Sequence, residues 1–242
     1  MSRNIIITGA SRGIGKAIAK EIAGPDTNIL ISSFHNLALL EETKKELSSI
    51  SNKVISFTGD MGNYRDVEKM FDLALKEFGS VDVLINNAGI SIVGLFQDMS
   101  YEEWREILDT NLGSVYNCCH FAVNDMLKRH EGKIINISSV WGVYGASCEV
   151  AYSATKGAVN AFTKALSKEL APSNIQVNAI ACGAIDTEMN GHLSKEELED
   201  LALEIPAGRL GKPSEVAEFV KQLINSPSYL TGQVIQFDGA WI

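Results

Sequence analysis

A phenol and an ammonium four residues apart are the first pair of groups in this sequence that could do chemistry. Tyr152 and Lys156 stand in the stretch "AYSATKGAVN", which has a helical pattern. Side chains at i and i+4 lie on the same face of a helix, so the two groups would be neighbours. A free phenol has a pKa of ~10, and an ammonium about 4 Å away favours its ionised form by about three pK units. The pair is therefore either an ordinary surface pair or a proton donor with a pKa brought towards neutrality.

A glycine-rich turn near the start of the chain is a second candidate for chemistry. In "IIITGASRGIG", Gly9, Gly13 and Gly15 follow an apolar run and open a helical pattern. A tight turn from a strand into a helix lets backbone N–H groups and the positive helix end approach a phosphate. The spacing is GxxxGxG rather than GxGxxG, so the prediction of a pyrophosphate site rests on this mechanism and not on the familiar pattern.

The end of the second apolar run indicates which dinucleotide would bind at such a turn. In dinucleotide-binding folds an acid at this place usually holds the adenosine ribose 2′-hydroxyl. Here the segment reads "ILISSFHN", which contains Ser33 but no carboxylate. The guanidinium of Arg12, in the glycine turn, could pair with a 2′-phosphate. The sequence therefore favours NADP(H) over NAD(H), with a solvated loop residue as the alternative interpretation of Arg12.

These groups need a scaffold, and the sequence alternates the two kinds of element that would provide it. Short β-branched apolar runs predict strands at 4–8, 28–32, 53–57, 81–86, 133–138, 175–180 and 233–237. Longer stretches between them predict helices at 13–23, 37–49, 64–78, 101–129, 152–170 and 214–225. Continuous apolar strands alternating with helices are typical of an α/β fold with a doubly wound parallel sheet. No linker or repeat interrupts the alternation, so we predict one domain over residues 1–242.

One segment departs from this regular alternation. Residues 182–212 follow the sixth predicted strand, are rich in glycine and contain the acidic helical stretch "SKEELEDLALE". A long excursion at the carboxyl end of a strand lies where ligands bind in such sheets. We therefore expect a substrate lid, the alternative being an insertion with no role in binding.

Composition limits the class of protein and its partners. The 242 residues are 45% hydrophobic and 21% charged, and no apolar run approaches the ~20 residues needed to span a bilayer. The start of the chain lacks the features of a signal peptide, so we expect a soluble cytoplasmic protein with no membrane partner. The net charge of −9 argues against nucleic-acid binding. The four cysteines form no CxxC pair and have no histidine at ligand spacing, which predicts reduced thiols and no metal site.

Taken together, the motifs resemble those of the short-chain dehydrogenases/reductases. They occur in that family's order: "TGASRGIG" (8–15), "NNAG" (86–89), Asn111, Ser139 in "ISSVWG", and Tyr152 with Lys156 as YxxxK. The similarity covers nearly the whole chain. The stretches "IPAGRLGKPSEVAEFV" (205–220) and "YLTGQVIQFDG" (229–239) are most similar to the 3-oxoacyl-[acyl-carrier-protein] reductases of the family. The resemblance implies a single-domain Rossmann fold with a seven-stranded parallel sheet, a nicotinamide cofactor and a homotetramer.

The resemblance also assigns roles to individual residues. Tyr152 takes the place of the acid, and Ser139 that of the hydrogen-bond donor to the same carbonyl oxygen. Asn111 takes the place of the residue that anchors a water relaying protons to Lys156, and Asp60 and Met61 match positions that hold the adenine. The residues expected to contact the cofactor are Gly9, Ser11, Arg12, Gly13, Ile14, Gly15, Ser33, Asp60, Met61, Asn87, Ala88, Gly89, Tyr152, Lys156, Gly183, Ile185 and Thr187.

The sequence departs from the family pattern in two places that matter for binding. Relatives usually have Pro-Gly after the sixth strand, whereas this chain has Cys182 and Gly183. Losing the proline predicts a freer backbone beside the expected nicotinamide. Where many of the acyl-carrier reductases place an arginine for the acidic carrier, this chain has Ser173, which leaves Lys128 and Arg129 as candidate contacts.

The leading expectation is NADPH-dependent reduction of a 3-oxoacyl thioester in fatty-acid biosynthesis. Reduction of a sugar, steroid or small ketone is the alternative, and lid residues such as Met189, His192 and Leu193 would decide between them. A non-catalytic nucleotide sensor is a third possibility, which the intact serine, tyrosine and lysine disfavour. Cys148 and Cys182 could together make the site sensitive to oxidation.

Overall fold

A single parallel sheet organises the computed structural model of the chain, which describes residues 2–191 and 193–242. Within these residues the strand order is β3-β2-β1-β4-β5-β6-β7, and every neighbouring pair is parallel. The strands are β1 Arg3–Ile7, β2 Thr27–Ser33, β3 Lys53–Thr58, β4 Val83–Asn86, β5 Gly132–Ser139, β6 Ile175–Cys182 and β7 Val234–Phe237. The predicted doubly wound, seven-stranded Rossmann sheet is confirmed.

Helices connect the strands and lie on both faces of the sheet. They are α1 Gly13–Ile22, α2 Leu37–Ser48, α3 Tyr64–Phe78, α4 Tyr101–Leu108, α5 Ser114–Arg129, α6 Trp141–Tyr144, α7 Val150–Leu170, α8 Lys195–Glu204 and α9 Pro213–Ile224. The helix predicted over 101–129 is not continuous, because a π-helical turn at Asp109–Gly113 separates α4 from α5. None of the helices in the described part of the chain combines the length and apolarity that a bilayer crossing requires.

The central strands are buried on both faces, which explains their unbroken apolar sequences. On β1, Ile5 and Ile7 pack with side chains of α1, α2 and α9, whereas Ile6 packs with side chains of α3, α5 and α7. All three isoleucines are at most 1% exposed, and full burial of such a side chain contributes about 1.5–3 kcal/mol. The sheet is therefore a rigid platform for the loops at its carboxyl edge.

The irregular segment after β6 is closed at its base. Ile185 pairs with Gly211 as an isolated parallel bridge. The Asp186 N–H donates to the Gly211 carbonyl at 2.8 Å, and the Gly211 N–H donates to the Ala184 carbonyl at 2.9 Å. Within the segment, α8 has no buried residue. The segment is thus closed at its base and anchored again near its end, where Ile205 is 2% exposed and the Ala207 N–H donates to the Gly239 carbonyl at 3.2 Å. His192 lies outside the described residues.

Candidate active site

A cavity of about 840 Å³ opens at the carboxyl edge of the sheet, around the point where the strand order reverses between β1 and β4. Ligands of doubly wound folds bind at this kind of position. The wall includes most of the predicted site residues: Gly9, Ser11, Arg12, Gly13, Ile14, Ser33, Asp60, Met61, Asn87, Ala88, Gly89, Ser139, Tyr152, Lys156, Gly183, Ile185 and Thr187. The two others, Gly15 and Asn111, are buried behind it.

The glycine turn between β1 and α1 depends on the absence of side chains. Gly9 has φ +65°, and a Cβ on it would lie 2.9 Å from the Ala88 Cα. Gly13 also has a positive φ, of +54°. A Cβ on Gly15 would lie 2.3 Å from the Gly9 carbonyl oxygen, so Gly15 lets α1 pack closely against the turn instead of lining the cavity. The turn therefore leaves its backbone open to a ligand.

Hydrogen bonds join this turn to the end of β4. The Asn87 side chain donates to the carbonyls of Thr8 and Gly9 at 3.0 and 2.9 Å. The Thr8 hydroxyl accepts from the backbone N–H groups of Asn87 and Ala88, both at 3.0 Å. The motifs "TGASRGIG" and "NNAG" thus form one unit across the point where the strand order reverses.

The end of β2 and the glycine turn contribute polar groups to the cavity wall. The Ser33 hydroxyl donates to the Ser11 hydroxyl at 3.1 Å. The Ser32 hydroxyl is buried in the cavity wall and has no hydrogen-bond partner among the described residues. Arg12 is exposed, and its guanidinium makes no hydrogen bond or ion pair within the described part of the chain. A buried hydroxyl without a partner and an available guanidinium fit a ligand that brings its own acceptors.

Asp60 and Met61 follow β3 and complete this end of the cavity. An Asp60 carboxylate oxygen accepts the Gly62 N–H at 2.8 Å, which fixes the turn. The Asn117 side chain of α5 donates to the carbonyls of Met61 and Gly62 at 3.0 and 3.1 Å. These contacts hold both residues against the wall.

Ser139, Tyr152 and Lys156 meet at the other end of the cavity. Ser139 is the last residue of β5, and Tyr152 and Lys156 lie one turn apart on α7. The Lys156 Nζ lies 5.5 Å from the centroid of the Tyr152 ring and donates to the Ile137 carbonyl at 2.9 Å. All three side chains are less than a tenth exposed. The structure thus brings together the serine, tyrosine and lysine that the sequence singled out.

Burial determines the ionisation of this group. It raises the pKa of the Tyr152 phenol well above its ordinary value, although a hydrogen bond from Ser139 favours the phenolate. Burial also lowers the pKa of Lys156 to about 8. The expected phenol with a pKa near neutrality is therefore not found in this structure. Desolvation of the phenolate outweighs the attraction that the i,i+4 spacing suggests, and Lys156 lies over the ring.

Asn111 sits in the π-helical turn and holds the loop after β4. Its side-chain oxygen accepts the Ile90 N–H at 2.8 Å, and its amide nitrogen donates to the Ile90 carbonyl at 2.9 Å and to Thr155 at 3.2 Å. A Cβ on Gly89 would lie 3.3 Å from the Asn111 oxygen and 3.5 Å from the Lys156 Nζ. Asn111 therefore lies next to the lysine, and the water relay stays a prediction.

Two expectations from the sequence, one about the end of β6 and one about Arg129, are wrong. The backbone at Cys182 and Gly183 is not free, because the Val140 N–H donates to the Cys182 carbonyl at 2.9 Å and the Gly183 N–H donates to the Phe237 carbonyl at 3.0 Å. Arg129 is not available to a carrier. Its guanidinium forms ion pairs with Asp82 and Asp125 at 2.9 and 3.0 Å.

The four cysteines are free, and Cys118, Cys119 and Cys182 are buried. Burial raises the pKa of the Cys119 and Cys182 thiols to about 12, and that of Cys118 is also raised. Such thiols carry little thiolate at neutral pH. No cluster of histidine, cysteine or carboxylate side chains in the described residues could hold a metal ion.

Three polar residues of the wall were not identified from the sequence motifs. Ser32 is described above, and Ser91 and Glu149 form a pair in which the Ser91 hydroxyl donates to the Glu149 carboxylate. Glu149 comes three residues before Tyr152, and its charge contributes to the raised pKa of the phenol. Its place immediately before α7, three residues from Tyr152, was the available signal.

The chain is similar to known proteins over nearly its whole length. Residues 3–198 match the short chain dehydrogenase family. The 3-oxoacyl-[acyl-carrier-protein] reductase FabG of Chlamydia muridarum is 40% identical over 241 residues, which cover 99% of this chain and 97% of that protein. FabG of Staphylococcus aureus is 36% identical over 99% of this chain and 98% of its own length. A crystal structure of an actinorhodin polyketide ketoreductase variant with NADPH has a TM-score of 0.93 at 32% identity, covering 99% of this chain and 97% of that one.

Proposed function

Because this chain belongs to the short-chain dehydrogenase family, whose members are NAD(P)-dependent oxidoreductases, we propose that it reduces the ketone of a 3-oxoacyl thioester with NADPH in fatty-acid biosynthesis. The observation that carries the proposal is the burial of Ser139, Tyr152 and Lys156 together in the wall of the cavity that the glycine turn also lines. Relatives named as 3-oxoacyl-[acyl-carrier-protein] reductases support this substrate class.

The residues at the β1–β2 end fit a phosphorylated dinucleotide. The turn at Gly9 and Gly13 and the start of α1 would hold the pyrophosphate, since α1 begins without a side-chain cap or an acid in its first turn. Arg12 and Ser33 would meet the 2′-phosphate, and Asp60 the adenine. When bound, the cofactor supplies the hydride that reaches the ketone carbon. The other expected contacts, Ser11, Ile14, Met61, Asn87, Ala88, Gly89, Gly183, Ile185 and Thr187, line the path between these points.

Tyr152 would supply the proton. Its high pKa keeps the phenol protonated at neutral pH, which is the form needed to donate to a carbonyl oxygen. Ser139 would donate a hydrogen bond to the same oxygen as negative charge develops. Lys156, lying over the ring, would stabilise the phenolate left behind and pass a proton to it, and a water held near Asn111 would then return a proton from solvent to Lys156. One hydride on carbon and one proton on oxygen give the 3-hydroxyacyl product.

Tyr152→Phe tests the assignment of the acid. General acid catalysis typically contributes about 100-fold or more, so this variant should lose at least that factor in kcat while its affinity for NADPH, measured by fluorescence titration, is retained. Tyr144→Phe is a matched control, because Tyr144 is exposed and its hydroxyl accepts a hydrogen bond from the Gln236 side chain at 3.0 Å. Near-normal turnover by Tyr152→Phe would show that the acid lies elsewhere.

The substrate class is tested by following oxidation of NADPH and NADH with acetoacetyl-CoA, an acetoacetyl-carrier thioester, and a panel of ketones and sugars. Reduction of both thioesters with NADPH is the expected result. Activity only on ketones or sugars that are not thioesters would identify the alternative reductase. No oxidation of either cofactor with any substrate would favour a nucleotide sensor.

Three further features belong to this proposal. Residues 182–212 act as a lid, which the exposed helix α8 and the lid residues Leu193 and Leu201 in the cavity wall support.

An acyl carrier would contact Lys128, since Arg129 is held in ion pairs. The whole chain functions as one domain and assembles as a homotetramer, which size-exclusion chromatography with light scattering would test.

A further inference from the structure

The Ser91–Glu149 pair is a feature of the cavity that the proposed reaction does not use. Glu149 precedes α7, and its carbonyl accepts the Ser153 N–H at 2.8 Å, which fixes it at the start of that helix. One carboxylate oxygen accepts the Ser91 hydroxyl, and the other has no hydrogen-bond partner among the described residues. Both residues are half-buried and line the cavity together with Ser139 and Tyr152.

The loop that carries Glu149 is held in place from both sides. The Ala146 N–H donates to the Ser153 hydroxyl at 3.1 Å. The Cys148 carbonyl accepts the Gly94 N–H at 2.9 Å, which joins the loop to the segment after β4 that also carries Ser91. The carboxylate therefore has a defined position, and the start of a helix is where a negative charge is stabilised.

The negative charge of Glu149 lies in the wall of the same cavity as Ser139 and Tyr152, where the ketone would be reduced. Glu149 lies three residues before Tyr152, immediately ahead of α7, and both side chains line the same cavity. Its charge disfavours the ionised form of the Tyr152 phenol and so contributes to the raised pKa. Lys156 forms no ion pair with Glu149 in the described part of the chain, and its Nζ donates to the Ile137 carbonyl. A substrate that brings its own negative charge close to the ketone would face repulsion from Glu149.

We infer that Glu149, positioned by Ser91, is a specificity-determining residue that excludes substrates with a carboxylate next to the reacting ketone and admits neutral ones. The inference rests on the proposed function. A 3-oxoacyl thioester is uncharged beside its ketone, whereas the corresponding free 3-oxo acid is an anion. Glu149 thus makes the site reject the hydrolysed form of its own substrate.

The test compares three substrates of NADPH-dependent reduction: the acetoacetyl thioester of N-acetylcysteamine, methyl acetoacetate and acetoacetate. Glu149→Gln removes the charge and keeps an oxygen that can accept the Ser91 hydroxyl. Like charges about 6 Å apart, partly screened by solvent, change a rate by roughly tenfold or more. The expected result is that the kcat/KM of acetoacetate relative to the thioester rises by about tenfold in this variant.

Glu106→Gln is the matched control, because Glu106 is an exposed carboxylate on the same cavity wall; it should leave the ratio unchanged. An effect of Glu149 through the acidity of Tyr152 alone would change all substrates in parallel and shift the pH profile, so an unchanged ratio overturns the inference. Equal discrimination against methyl acetoacetate and acetoacetate by the wild type would also overturn it, since size would then be the cause. Failure of the wild type to reduce the thioester would overturn the proposed function itself.

Discussion

Replacing Lys156 by methionine should stabilise the protein while removing its proposed activity. Lys156 is 5% exposed, and burial lowers its pKa to about 8. At pH 7 Lys156 is still mostly protonated, so the folded protein carries a buried charge whose desolvation lowers its stability. Methionine has a similar length and carries no charge, so Lys156→Met removes this cost.

The magnitude follows from the two pKa values. The difference between the ordinary 10.5 and about 8 in the folded protein corresponds to about 3 kcal/mol. Loss of the hydrogen bond to the Ile137 carbonyl offsets about 1 kcal/mol of this. The free energy of unfolding of the variant should therefore exceed that of the wild type by about 2 kcal/mol at pH 7.

The sign of the pH dependence is fixed by the same values. Between pH 8 and 10.5 the folded protein has released the Lys156 proton and the unfolded chain has not, so the wild type gains stability as the pH rises through this window. The advantage of the variant should shrink accordingly. Urea denaturation at pH 7, 9 and 10.5 gives the free energy of unfolding of the variant and of the wild type. The difference between these two free energies removes the contribution of the other titrating groups, which both proteins share.

Lys164→Met is the control, since Lys164 is exposed on the same helix and its replacement should change stability by less than about 0.5 kcal/mol. A Lys156→Met protein less stable than the wild type at pH 7 would refute the reasoning. So would an advantage that persists undiminished at pH 10.5.

Two other predictions concern cofactor preference and the reactivity of the cysteines. Arg12→Ala should raise the KM for NADPH by about 10-fold or more, the loss expected for a charged hydrogen bond, and leave the KM for NADH nearly unchanged; equal effects on both cofactors would show that Arg12 does not meet a 2′-phosphate. Brief treatment of the native protein with iodoacetamide at pH 8 should label Cys148 and spare Cys118, Cys119 and Cys182, which are buried with raised pKa values. Mass spectrometry of the peptides reads this out, and rapid labelling of Cys182 would contradict the closed packing around it.

The sheet was predictable because its strands carry a local signal. Runs such as Ile5 to Ile7 are apolar on both faces, and only a sheet covered on both sides buries them all. The break at Asp109–Gly113 has no comparable signal. The π-helical turn is maintained by the bonds of Asn111 to Ile90, which lie 21 residues apart in the chain.

The sequence indicates which residues form the candidate site, but it does not indicate their pKa values. The spacing of Tyr152 and Lys156 indicates that they are neighbours, but their pKa values depend on desolvation by the sheet and the loops around them. Arg129 illustrates the same point on the surface. Its partner Asp125 lies four residues earlier on α5, a spacing that the sequence shows, but its partner Asp82 is 47 residues away and no local pattern indicates that contact.

The bridge between Ile185 and Gly211 has a consequence for how the segment between them can vary. The two ends of the intervening segment are hydrogen-bonded to each other. Its last part is anchored as well, because Ile205 is 2% exposed, the Ala207 N–H donates to the Gly239 carbonyl, and Arg209 forms an ion pair with Glu215 of α9. Doubling the length of such a closed loop costs only about 0.6 kcal/mol in chain entropy. The stretch around α8, which has no buried residue, is therefore an exchangeable cassette, and a substitute of different length or composition there changes the cavity wall while these anchors, β6 and α7 stay where they are.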